Sequence, residues 1–218
     1  NAPDPGGVDK VANRTFGAVT RFGLTDAFIH DPQAGWTKVL DFQTTERYDY
    51  IISDGTKAYA SRVNEYIRTL IFLRKGDNAY VIVFDRVEAK EPQFIKKWLL
   101  HLVSEPVVNG RIVETRAPGH YEIYDADSLV AANAFNTAKL HWKGLLPRAR
   151  TVAKIGGEGY EFYVEGSRSV NYALGQETKS RIEGSGPWQE AGTWRIEVTA
   201  KEKRNRDYFL NVMYAAGA

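Results

Sequence analysis

Apolar and polar side chains alternate in twos along most of this chain, and glycine, proline and small polar residues break the alternation at short intervals. A two-residue period belongs to a pleated strand, which sends successive side chains to opposite faces. Residues 64–105 show it best. Tyr66, Arg68, Leu70 and Phe72 fall on one face, and Ile67, Thr69, Ile71 and Leu73 fall on the other. Gly76-Asp77-Asn78 then turns the chain. Residues 79–84 are a nearly unbroken apolar, β-branched run, as expected of a strand buried on both faces, and the strand is predicted to stop at the charged pair Asp85-Arg86. Beyond Pro92 the extended pattern resumes over residues 94–103.

The same reading predicts strands at residues 15–22, 36–42, 48–53, 111–115, 121–124, 139–145, 151–155, 160–164, 193–199 and 207–214. One short helix is predicted over residues 126–134, capped by Asp127 or Ser128. More than ten short strands with so little helix predict an all-β fold, a two-sheet antiparallel β-sandwich. A chain of 218 residues suffices for one large core, so residues 15–218 are read as a single domain behind a flexible, Pro/Gly-rich segment 1–14. Residues 165–191, broken by Gly166, Gly175, Gly184, Gly186 and Pro187, read as a long mobile loop. The charged run 201–207 reads as a solvated hairpin connection.

Composition narrows the function. Lys plus Arg number 29 against 27 Asp plus Glu, and a net charge of +2 gives no global reason to expect nucleic acid or a membrane as partner. The absence of cysteine rules out disulfides, thiolate metal sites and a thiol nucleophile. No Gly-rich phosphate loop or Gly-x-Ser-x-Gly elbow is present. His30, His120 and His141 are scattered without ligand spacing, so neither a sequence-local metal site nor a cofactor is expected.

The order of motifs carries a resemblance. Tyr48-Asp49-Tyr50, Ser53-Asp54-Gly55 and Ala58-Tyr59 precede the central block, with its Tyr-Val-Ile-Val-Phe-Asp-Arg-Val and Lys-Lys-Trp-Leu-Leu-His-Leu. Gly156-Gly157-Glu158-Gly159-Tyr160, Gly192-Thr193-Trp194-Arg195-Ile196-Glu197-Val198 and Asp207-Tyr208-Phe209-Leu210 follow it. This order resembles the C-terminal β-sandwich of the heparinase II/III-like polysaccharide lyases over about residues 15–215. The resemblance implies a periplasmic or secreted protein that acts on acidic, uronate-containing polysaccharide by β-elimination. It also implies an N-terminal helical toroid as partner domain. The family's His-Asn-His-like and Ala-His-Asn-like motifs are missing from this sequence, so no family catalytic or metal residue carries over. A non-catalytic carbohydrate-binding or structural module, homodimerising through an apolar patch, is the alternative.

β-Elimination needs a base for the proton α to the carboxylate, an acid for the leaving oxygen and positive charge for the developing dianion. The residues whose types and positions fit are His101, near Lys96 and Lys97, and the same-face pair Tyr66 and Arg68, in which a guanidinium could lower a phenol's pKa. These three are the catalytic candidates. Lys97 and the tryptophans Trp36, Trp142 and Trp188, which flank Gly, Lys or Pro, are the substrate-binding candidates. Trp98 and Trp194 lie within apolar strands and read as core.

Overall fold

The computed structural model describes residues 37–59, 62–75, 78–165, 170–171 and 192–217. Its strands are β1 (Lys38–Thr44), β2 (Tyr48–Asp54), β3 (Val63–Lys75), β4 (Asn78–Ala89), β5 (Lys97–Leu102), β6 (Val107–Ala117) and β7 (Tyr121–Ala132), followed by β8 (Ala138–Leu146), β9 (Arg150–Gly156), β10 (Tyr163–Val164), β11 (Val170–Asn171), β12 (Trp194–Ala200) and β13 (Arg206–Gly217). The fold is all-β, and every strand pairing is antiparallel. The predicted strand 15–22, segment 1–14, His30, Trp36, Trp188 and most of 165–191 lie outside the described residues.

Three local expectations are corrected. Residues 126–132 belong to β7 rather than to a helix, because Leu129 and Ala131 alternate into the core and that burial outweighs local preference. β4 does not stop at Asp85-Arg86; it runs on to Ala89, with Asp85 buried against Arg68 of β3 and Arg86 paired with Glu65. The 201–207 run is not a hairpin, since β12 and β13 are not neighbours in the sheet. Its last member, Asp207, is buried.

Eleven strands form one sheet in the order β1-β2-β3-β4-β13-β8-β7-β9-β12-β5, with β6 added on β7; β10 and β11 make a separate pair. The sheet is rolled. Trp98 of β5 stacks on Trp142 of β8 with ring centroids 6.1 Å apart. β8 and β9 both pair with the edge of β7 opposite β6, β8 at residues 128–132 and β9 at residues 121–124, so the long strand β7 carries both groups of strands. Lys96, just before β5, reaches Asp207 of β13 at 3.0 Å, a second contact between the two groups. The β9-β12-β5 border has therefore curled back over β13 and β8. Trp98, Leu102, Leu129, Trp142, Val152, Ile196, Val198 and Phe209 fill the interior.

Polar groups inside the roll are paired almost throughout. Lys96 also donates to the Arg204 carbonyl, and Arg204 donates to Asp207. Lys154 lies between Glu105 and Glu122, with its ammonium 5.6 Å from the Trp194 ring. The Trp142 indole N–H donates to Asn211 Oδ1 at 3.0 Å, while Asn211 Nδ2 has no partner among the described residues. β1 to β3 extend past the roll as an open wing in which all seven residues of β1 are exposed.

Candidate functional site

β5 and β12 show what strand alternation does with mixed residues. In β5, Trp98 and Leu102 turn into the roll, which leaves Lys97, Leu99 and His101 on its outer face. In β12, Ile196 and Val198 turn inward and leave Arg195 and Glu197 on the opposite face, where both are nonetheless buried, 8% and 6% exposed. The antiparallel register sets His101 opposite Arg195, Leu99 opposite Glu197 and Lys97 opposite Thr199. Four ionisable groups thus meet on one patch.

Glu197 is the hub of the patch. Lys97 Nζ donates to its Oε2 at 2.7 Å, and Arg195 Nε donates to its Oε1 at 2.8 Å. Burial alone would push this carboxyl up, but the two cations outweigh it and hold Glu197 below the usual range. Two cations share one carboxylate, so the row keeps a net positive charge. His101 stays accessible at the end of the row. Its partial burial, helped by the Arg195 charge, moves its pKa below the ordinary 6.5, so the ring is neutral near pH 7. A neutral imidazole accepts a proton, and ammonium and guanidinium groups bind carboxylate or sulfate.

The same row continues through Ile155 of β9 to Tyr121 of β7. Tyr121 donates to Glu165 Oε2 at 3.0 Å and accepts from Arg116 at 3.0 Å. Burial first, and the Glu165 bond second, raise its pKa, so it is a neutral phenol. Arg116 is itself spent on Glu114 and Glu165. Beside them His120 stacks on Tyr160 at 5.3 Å and Tyr160 contacts Tyr163 at 4.8 Å. Gly157 makes this packing possible: its φ is +79°, and a Cβ there would come within 2.9 Å of the Trp194 ring and 3.0 Å of His120 Nδ1.

The structure does not bring the three catalytic candidates together. Arg68 is in register with Asp85, which is in register with Phe209 of the interior, so Tyr66 and Arg68 belong to the roll-side face. His101 belongs to the outer face, and the sheet lies between the two groups. Nor does Arg68 activate Tyr66. Its Nε and Nη2 are bound to the buried Asp85 carboxylate at 2.7 and 2.8 Å, and burial drives the Tyr66 pKa upward, further from a base. Tyr59, carried by the short 3-10 turn Thr56–Tyr59, packs edge-on to Tyr66 at 5.5 Å.

Of the binding candidates, Lys97 is in the charged row, and Trp142 is a correction. Trp142 is 1% exposed in the core and offers no stacking surface. Its Lys-Gly neighbours read as a surface context, but they alternate outward or lie flat while the indole points in. Arg195, Glu197 and Tyr121 were not singled out from the sequence; the signal for the first two was a pair of charges on one face of an otherwise apolar strand. Among the described residues no three His, Asp or Glu side chains gather as a metal site. The chain matches no protein-family model and no curated protein.

Proposed function

We propose that this chain is the β-domain of a heparinase II/III-like polysaccharide lyase, and that it contributes to β-elimination by holding an acidic, uronate-containing chain against its β5–β12 face. The observation that carries the reading is the exposed pair Lys97 and His101 beside the buried Arg195 and Glu197, a group in which two cations share one carboxylate. Net positive charge there would hold a uronate carboxylate or a sulfate, and a neutral imidazole stands beside it. Because Tyr66 and Arg68 lie across the sheet and the Tyr121 phenol is buried and bound to Glu165, no described residue of the row is open to a substrate as its acid, and the reading assigns that group to a partner domain such as the helical toroid. The motif order and the row's chemistry are its two supports. Export to the periplasm or outside the cell follows from the same reading.

The test is binding and turnover by the full chain with alginate and heparan sulfate. Binding is expected to weaken about tenfold between low and high salt, as exposed charge is screened. Lys97→Ala should weaken it further, and ultraviolet absorbance should show no unsaturated product from this chain alone. Failure to bind any uronate polymer at low salt would overturn the reading. A second reading, a carbohydrate-binding module without a lyase partner, is favoured by the aromatic side chains on the outer faces of β4, β13 and β8. It predicts binding that salt leaves unchanged.

A further inference from the structure

The outer face of the sheet carries a second concavity, well away from the charged row. Its base is a cross-strand row set by the register: Tyr80 of β4 opposite Tyr214 of β13, Tyr214 opposite His141 of β8, and His141 opposite Val130 of β7. Tyr80 and Tyr214 stack at 5.1 Å, and His141 leans on Tyr214 at 5.9 Å. The next row, two residues along each strand, brings Val212, Lys143, Ser128 and Asn109 into line. Between and above these rows lies an open cavity of about 360 Å3. That is within the range of small-ligand sites, roughly 300–1,000 Å3.

We infer that this trough is a binding subsite for an uncharged stretch of a glycan, about two sugar rings long. One side is built of aromatic rings, which pack against the C–H faces of a pyranose. The facing side offers an amide and a hydroxyl, which match sugar hydroxyls in donating and accepting. Asn109 Nδ2 and Ser128 Oγ are 3.3 Å apart, a long hydrogen bond that a ligand hydroxyl can replace at small cost. Charge decides against a uronate or a sulfate here. Among the described residues Lys143 is the one ammonium or guanidinium lining the cavity, and it is bound to Asp127 at 2.6 Å. The inference rests on the reading of this chain as a polysaccharide-handling domain, but it concerns a different part of the surface and a different ligand charge.

The experiment is calorimetric titration of the full chain with hexasaccharides of β-1,4-glucan, β-1,4-mannan and β-1,4-xylan, with an alginate hexasaccharide alongside. At least one neutral oligomer is expected to bind, with an affinity that salt leaves unchanged. Asn109→Ala and His141→Ala, both at exposed positions, should each weaken that binding about tenfold, the worth of one lost contact, while the thermal midpoint stays at the wild-type value. Lys97→Ala should leave neutral-oligomer binding intact and lower only alginate binding. This keeps the failure of one site distinct from the failure of the other. No binding of any neutral hexasaccharide at millimolar concentration, or wild-type affinity in both trough variants, would overturn the inference.

Discussion

The roll and the wing are parts of one hydrogen-bonded sheet, built from strands of similar composition, yet they differ in what holds them. In the roll, each inward side chain meets another strand across the interior as well as its neighbours in the sheet, and Trp98, Trp142, Ile196 and Val198 are nearly or wholly removed from water. In the wing, Phe42, Ile51 and Leu70 form one register row that continues toward Val83 and the core, but among the described residues nothing lies over it, and Phe42 is 71% exposed. Alternation therefore makes a strand in both places, whereas only curling back of the sheet makes a core. Stability should be concentrated where the sheet faces itself.

The largest test removes one partner of the pair that joins the two ends of the roll. Lys96 and Asp207 have side chains 8% and 2% exposed, and Asp207→Ala leaves a buried ammonium without its carboxylate, with the Arg204 carbonyl still accepting from it. About 3–5 kcal/mol of unfolding free energy is expected to be lost, measured by urea denaturation. Trp142→Ala should cost a similar ~3–5 kcal/mol through the cavity it opens, whereas Phe42→Ala in the wing should stay within about 0.5 kcal/mol of wild type. If Phe42→Ala cost as much as Trp142→Ala, the contrast between the regions would fail.

A smaller loss, about 1–3 kcal/mol, is expected for Asn211→Leu. That change relieves one orphaned amide N–H but strands the Trp142 indole N–H inside the roll. The subtlest test uses pH. His101 has a folded-state pKa below its ordinary 6.5, so the unfolded chain binds its proton first and stability falls as pH drops through 6.5. Glu197, also lowered, contributes stability above about its ordinary 4.5 that disappears at lower pH, as it is protonated. A two-stage acid loss is therefore predicted, and His101→Gln should remove the upper stage only. Asp54, Glu122 and Asp127 are lowered too and add to the lower stage, so Glu197→Gln should shrink it rather than abolish it; a lower stage undiminished in that variant would refute the assignment.

The positions of the strands were readable because each carries its own alternation, and β2, β3, β5, β8, β9 and β12 lie within a few residues of the predicted spans. The errors arose where a distant strand decides the outcome. Asp85 looks like a strand end until Arg68 neutralises it in mid-strand, and residues 126–132 look helical until the core takes Leu129. The order of the sheet was not readable at all, since β13 inserts between β4 and β8 and no local pattern encodes that. The site divides in the same way. That Lys97 and His101 share a face follows from their spacing, but Arg195 and Glu197 join them only through the β5–β12 register, about a hundred residues away in sequence. Tyr66 and Arg68 were correctly read as neighbours, while Asp85 and the sheet between them and His101 were invisible.

The central place of β13 governs the order in which the molecule can come into being. It is the last of the described strands in chain order, yet it supplies the join between β4 and β8. A nascent polypeptide halted before residue 206 would carry two bare hydrogen-bonding borders, each a template for pairing with the wrong strand. Completion of the described sheet is thus deferred until residues 206–217 have been made, and until then both borders stay open to other strands or to a chaperone.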